Sequence, residues 1–308
     1  MNDAYYTTTG ERPELAALEV NAPEGYIGTQ IMPIVPVTDK SGTVYYNDLT
    51  ADETAETGRA AGSGPSGTQI ATTSTSFTCV EHCERGKITP DEAKVMGGID
   101  KADLVGAKWA KRQVMNALEA DICAAILGKA ASTQFDPVKL LSQAQTALAT
   151  IQLYEGKTAL ISSTATLKRM VQALLNENTM GRVFSRVVAG VNPQVAITGM
   201  NFQAWKDALA LLMGVDMVLA GNDTIWNSAT YDGHFALAKV DDGSDPLSHK
   251  WRPVLGKVFQ FMPDGKQPWV IQSVADRVNV NNLYDAYLWF DSVLLNTGAL
   301  YVIDGVSA

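Results

Sequence analysis

The sequence predicts an α+β protein, and three features of the 308 residues carry that expectation. Helical spacing of apolar residues is concentrated between residues 100 and 214. From Val258 to the end that period vanishes, and Val258–Phe261, Trp269–Val274, Tyr287–Leu295 and Leu300–Ile303 read as β-runs separated by Gly, Pro and Asn. Ahead of both lies a long stretch, Thr50 to Ser76, whose one large apolar residue is Ile70. Such a stretch cannot fold on its own contacts.

Taken in order, the chain opens with scattered apolar positions and then the run Ile31-Met32-Pro33-Ile34-Val35-Pro36. Its two prolines argue against a helix and against a central strand, so it reads as an extended arm lying on some other surface. Short strands are expected at Val44–Tyr46 and Ser76–Cys83, flanking the polar stretch. Asp100 is placed to cap a long helix running from Lys101 to Lys129 without proline, with Met115, Leu118, Ile122 and Ile126 on its apolar stripe. At 1.5 Å per residue it would be roughly 40 Å long.

Helix and strand then alternate. Asp136-Pro137 reads as a cap and first-turn proline, opening a helix with Leu141, Ala144, Leu148 and Ile151 on one face. Thr158–Ile161 reads as a strand, and Ser163–Leu175 as a helix. A third helix, capped by Asn201 and closed at Gly214, leads into the strand Val215–Ala220.

Composition bounds function. Hydrophobic residues are 46% and charged residues 19%, enough for a sizeable core. A net charge of -9 argues against a main role in gripping nucleic acid, which needs a positive surplus. The longest apolar run, Ala208 to Val215, is far short of a bilayer span, and MNDAYYTTTGERPE lacks a basic and then apolar leader, so neither membrane insertion nor secretion is expected. Three cysteines make no disulfide framework.

Motifs that would carry chemistry are weak. Gly62-Ser-Gly64-Pro-Ser-Gly67 matches GxGxxG, but neither strand nor helix flanks it, and a polar loop accounts for it. Cys79-Val-Glu-His82-Cys83 lacks the second ligand pair a zinc site needs. On one continuous strand, Cys79 and Cys83 would share a face and His82 would take the other. His82, His234 and His249 sit in unrelated segments. Asp241-Asp242-Gly-Ser-Asp245 lacks the spacing of a calcium loop and reads as a solvated turn. Asn222-Asp-Thr224 fits a glycosylation sequon, which means little without a leader. Trp109, among Lys108, Lys111 and Arg112, reads equally as a partner contact or a core residue. No catalytic residue, cofactor or metal ligand is assigned, and an α/β enzyme is the different-class alternative.

The order of parts, rather than any single motif, resembles the HK97-like major capsid proteins of tailed bacteriophages. Gly28-Thr-Gln-Ile-Met-Pro-Ile-Val-Pro-Val37 looks like the N-terminal arm, and Ser41 to Cys79 resembles the extended E-loop. Met96 to Lys129 is similar to the spine helix of the peripheral (P) domain. Pro137 to Lys168 and Leu211 to Asn227 resemble parts of the axial (A) domain, and Leu283 to Val306 the long terminal strands. The resemblance implies an arm at 1–37, an E-loop at 38–78, a P domain from 79–130 and 256–296, and an A domain from 131–255 and 297–308. It implies a structural subunit that self-assembles as hexamers and pentamers into an icosahedral shell around double-stranded DNA. Such a subunit is made in the bacterial host cytoplasm and ends in the virion capsid. Its partners would be copies of itself, with separate scaffolding, portal or decoration proteins. It would bind no specific nucleic-acid sequence and no membrane, holding DNA by enclosure alone. No long charged helical region precedes the arm, so a fused scaffolding domain is not expected. Lys40 lies near the loop base, but no motif fixes a crosslinking partner. An encapsulin-type compartment shell shares the fold and is the nearer alternative.

Arms and loops of this kind are ordered by neighbouring subunits. On charge, Asp52, Glu53, Glu56 and Arg59 of the loop are expected to meet complementary charge on a neighbour, with Lys108, Lys111 and Arg112 of its long helix receiving the acids.

Overall fold

The computed structural model describes residues 6–17, 25–47, 72–154, 156–176, 202–241, 255–263, 267–276 and 281–306. They form two cores joined along one helix. The first is built on a six-stranded sheet. Its centre is β12 (Asn281–Leu294), flanked on one side by β5 (Val80–Ile88) and on the other by β11 (Val270–Asp276) and β10 (Gly256–Phe261). At the margins β1 (Tyr6–Glu11) pairs antiparallel with β11, and β2 (Ile34–Val37) pairs parallel with β10. Pro36 is tolerated because β2 is an edge strand.

Along β12 the pleat sends Tyr284, Ala286, Leu288 and Phe290 to one face, all buried in the core that the long helix α4 (Ile99–Leu127) also lines. Asp285, Tyr287 and Trp289 take the other face. Arg85, opposite Asp285, donates two hydrogen bonds of 2.5 and 2.6 Å to its buried carboxylate. The sequence expectation began this strand at Tyr287. Its first half carries Asn and Asp, which propensity disfavours in strands and pairing here overrides.

The long helix is present, with Leu118, Ile122 and Ile126 buried and Met115 partly so. Its cap differs: Gly98, at φ +122°, precedes Ile99, and Asp100 lies inside the first turn. A short helix α3 (Pro90–Val95) comes just before. Thr89 and Glu92 close a reciprocal capping box there, the Glu92 amide donating to Thr89 Oγ1 and the Thr89 amide to Glu92 Oε2.

The arm run departs from its expected form. Gly28–Ile31 make one helical turn (α2), only Ile34–Val37 is extended, and Ile31 and Met32 are fully buried in this chain's own core. Apolar burial outweighed the extended bias of the prolines, which fall after the turn.

The second core surrounds a five-stranded sheet ordered β6 (Thr133–Gln134), β13 (Leu300–Asp304), β9 (Phe235–Val240), β7 (Lys157–Ser163), β8 (Met217–Gly221). Helices α5 (Leu140–Ile151), α6 (Thr164–Asn176) and α7 (Phe202–Met213) pack on it through Leu140, Ala144, Leu167, Met170, Leu209 and Met213. Helix α5 starts later than expected: Asp136 Oδ1 accepts from the Val138 amide at 2.9 Å, making a turn that delays helix entry to Leu140. Between β8 and β9 lies the short helix α8 (Asp223–Trp226).

A separate two-stranded hairpin pairs β3 (Ser41–Asn47) antiparallel with β4 (Thr72–Thr78).

Candidate intersubunit surface

The hairpin root is fixed to the first sheet. Phe77 stacks on Phe259 with ring centroids 4.5 Å apart, and the Thr78 amide donates to Asp291 at 2.7 Å. Cys79 forms the break between β4 and β5. Its amide donates to the Lys40 carbonyl at 2.7 Å and its thiol to the Phe259 carbonyl at 3.4 Å. Lys40 lies over Trp289 and Phe261, 5.1 and 5.5 Å from the ring centroids, a cation–π contact at the loop base. Past this root Tyr45 is exposed.

That break removes the continuous strand expected through Cys79, His82 and Cys83. Cys79 is buried and Cys83 exposed, while His82 stacks on Phe290 at 3.9 Å and burial lowers its pKa. Among the described residues no group of three His, Cys, Asp or Glu is placed to hold a metal. Asn222 caps α8, its Oδ1 accepting from the Ile225 amide at 2.9 Å. Asp241 is buried rather than solvated. Gly62–Gly67, His249, Asp242 and Asp245 lie outside the described residues.

On α4 the N-terminal half presents an exposed ridge. Lys101, Leu104, Val105, Lys108, Trp109 and Arg112 follow spacings of one, three and four. Trp109 is 49% exposed. With Val105 and Gly106 it borders a groove whose other wall is Arg85, Lys87 and Ile88 of β5, and Glu92 and Met96 complete it. Its lining is largely apolar, Arg85 is paired with Asp285, and Lys87 and Glu92 carry opposite charges, so the groove suits a partly apolar partner segment. Beyond it, Val95 is 89% and Ile99 55% exposed. Among the described residues no helix is long and apolar enough to cross a membrane.

Of the basic residues expected at this surface, Lys108 and Arg112 are on the ridge, whereas Lys111 is only 1% exposed. Its ammonium donates to the Ala16 carbonyl at 2.6 Å and lies 5.2 Å from the Trp269 ring centroid. Burial lowers its pKa from 10.5 to about 8. The helical period explains the difference: Lys108 and Arg112 are four apart, and Lys111 falls on the flank that meets the end of α1 (Pro13–Ala16). Asp52, Glu53, Glu56 and Arg59 lie outside the described residues.

The sequence reading did not single out Leu104 and Val105, the apolar part of the ridge, and it missed the Lys40–Trp289–Phe261 contact, which only the sheet register brings together. It also missed Glu119, a buried acid on the other half of α4.

A sheet crossed by one long helix, a hairpin extending from it and a second mixed core together define the HK97-like shell-protein fold. No known protein family matches the chain by sequence profile, and no curated protein matches it in sequence. Solved structures do match over nearly the whole chain. A phage-related protein from Bordetella bronchiseptica RB50 is similar at a TM-score of 0.64 and 18% identity, over 96% of this chain and 99% of that one. The capsid of cyanophage P-SCSP1u is similar at 0.53 and 10% identity, over 89% and 86%. The SrpI encapsulin of Synechococcus elongatus PCC 7942 is similar at 0.52 and 10% identity, over 95% and 92%.

Proposed function

We propose that the chain is the structural subunit of an icosahedral head, self-assembling as hexamers and pentamers around the double-stranded DNA of a tailed phage. The observation that carries this reading is the whole-chain likeness to a phage-related protein and to a cyanophage capsid. Its work is structural rather than catalytic. It is made in the host cytoplasm and resides in the virion, with scaffolding, portal or decoration proteins as further partners. The acidic balance suits this role, because a shell of net charge -9 per subunit repels DNA and leaves it free to exit. Purified chain, with any scaffolding protein supplied, is expected to give shells or capsomers by electron microscopy. A monodisperse 33.1 kDa species in light scattering at high concentration would overturn the proposal.

The encapsulin likeness supports a second reading, a protein-filled compartment. Particles made in the native host decide between them: nuclease-protected DNA supports the head, and a packaged protein without DNA supports the compartment.

Within the first reading, the hairpin extension reaches a neighbouring subunit. Asp52, Glu53 and Glu56 meet the ridge of α4 at Lys108 and Arg112, with Trp109 in the apolar groove, and Arg59 meets an acidic group of the same neighbour. Lys111 acts from inside by holding the end of α1 through the Ala16 carbonyl. Deletion of residues 52–70 spares β4, which begins at Thr72, and should leave circular dichroism unchanged while abolishing stable shells. Normal shells from the deleted chain would refute the contact.

A further inference from the structure

Glu119 is 3% exposed, and among the described residues no lysine, arginine or histidine forms an ion pair with it. Its carboxylate is held by N–H groups instead. Oε1 accepts from the Ile27 amide at 2.8 Å and from Trp226 Nε1 at 2.7 Å. The Gly28 amide is shared, 3.1 Å from Oε1 and 3.0 Å from Oε2. The donors come from two segments far apart in the chain, the arm turn entering α2 and the helix α8, which connects β8 and β9 of the second sheet and buries Trp226 in the first core. The acceptor belongs to α4. One carboxylate therefore ties three elements.

The surroundings are fitted to this arrangement. A Cβ at Gly28 would lie 2.6 Å from Glu119 Oε2, and one at Gly221 would lie 2.2 Å from the Trp226 ring, so neither position admits a side chain without displacing the joint. A second bond closes the same junction: the Asn222 amide donates to the Gly25 carbonyl at 3.0 Å.

A buried carboxylate is a poor way to gain stability, since an apolar side chain fills such a space without desolvating a charge. Its distinctive property is all-or-none behaviour. With every donor in place it is satisfied, and with one removed it is an under-solvated charge that weakens the others. We infer that Glu119 is a positioning residue, a latch that fixes the arm turn and the β8–β9 connection of the second sheet on the long helix. On the head-subunit reading above, it thereby sets the angle between the two sheets and the curvature of the shell.

The test uses the full chain and a double-mutant cycle, Glu119→Gln with Trp226→Phe. Gln keeps one acceptor oxygen but turns an NH2 group toward a donor, and Phe keeps an aromatic ring, smaller than the indole, and removes the N–H. Two readouts are taken on the subunit, the unfolding equilibrium and hydrogen exchange of the peptide spanning residues 25–31. The latch requires a coupling of about tenfold or more in the unfolding constant, against roughly twofold for independent sites. It also requires that Trp226→Phe alone, a change about 200 residues along the chain from the arm turn, speeds exchange at Ile27 and Gly28 by about tenfold. Trp226→Phe keeps the test decisive if Glu119→Gln does not fold. Additive effects with unchanged exchange would overturn the latch, whatever particles form. Coupling in a chain that never assembles would leave the latch intact and count against the head-subunit reading. Coupling with particles of unchanged diameter would overturn the curvature role alone.

Discussion

The two halves of α4 share one backbone and do opposite work. From Val114 to Leu127 the helix contributes Val114, Leu118, Ile122, Cys123, Ile126 and Leu127 to the first core, all buried. From Ile99 to Arg112 its buried positions are small or alkyl-stemmed, Ala102, Gly106, Ala107, Ala110 and Lys111, while its larger apolar residues Ile99, Leu104, Val105 and Trp109 face outward. In the C-terminal half, side-chain volume fills the interior. In the N-terminal half, small residues let the sheet approach and the large side chains remain available to a partner. A helix of 29 residues, roughly 43 Å, is longer than one domain core needs, and this division accounts for its length.

The comparison breaks most visibly with one truncation in each half. Ile122→Ala removes a fully buried side chain and should cost about 2–5 kcal/mol of subunit stability in denaturant unfolding. Trp109→Ala, though it removes a larger side chain, should change that stability by less than about 1 kcal/mol, because roughly half of the residue is already in water. Its effect should appear in assembly. Equal losses of subunit stability would show that the halves do not differ as described.

The same contrast explains what could be read from the residues. The long helix was legible because Met115, Leu118, Ile122 and Ile126 repeat at three and four, and the overall architecture because its parts follow one another in a distinctive order. The helix start was misplaced because Asp100 is a good cap by type, whereas Gly98 gains its role from backbone geometry that composition does not encode. The capping box Thr89-Pro90-Asp91-Glu92 was visible in principle, but six helical residues are too few to show a period. Lys111 was grouped with its neighbours because charge alone does not say which flank of a helix a lysine occupies. Glu119 was not legible at all, since its partners are 92, 91 and 107 residues away.

Lys111 offers an intermediate effect, and its sign follows from its burial. With a folded pKa of about 8 against 10.5 when exposed, the unfolded chain binds more of this proton between those values. This group's contribution to stability therefore rises as pH climbs through that window, with a slope of at most about 1.4 kcal/mol per pH unit for one proton. Below the window the ammonium is retained at a constant cost. Wild type minus Lys111→Met, compared by unfolding from pH 7 to 10.5, should isolate the slope from the tyrosines and cysteines that also titrate there. A flat difference would mean that the ammonium reaches water and belongs with the outward half.

The smallest effect on the subunit is expected at the ridge itself. Lys108 and Arg112 are exposed, so Lys108→Glu with Arg112→Glu should shift the unfolding free energy by no more than about 0.5 kcal/mol. Their influence should emerge between molecules. If the ridge meets the acids of a neighbour's loop, the double reversal places like charges opposite one another and should block assembly at low salt. Raising the salt should partly restore assembly of the variant, because exposed charges are screened over about 8 Å at physiological ionic strength and about 3 Å at 1 M. The wild type should move the other way, assembling less readily as salt rises. Turbidity and electron microscopy across a salt series read both trends. A variant that assembles like wild type at every salt would leave the apolar groove beside Trp109 as the adhesive part of this half, with no role for the charges around it.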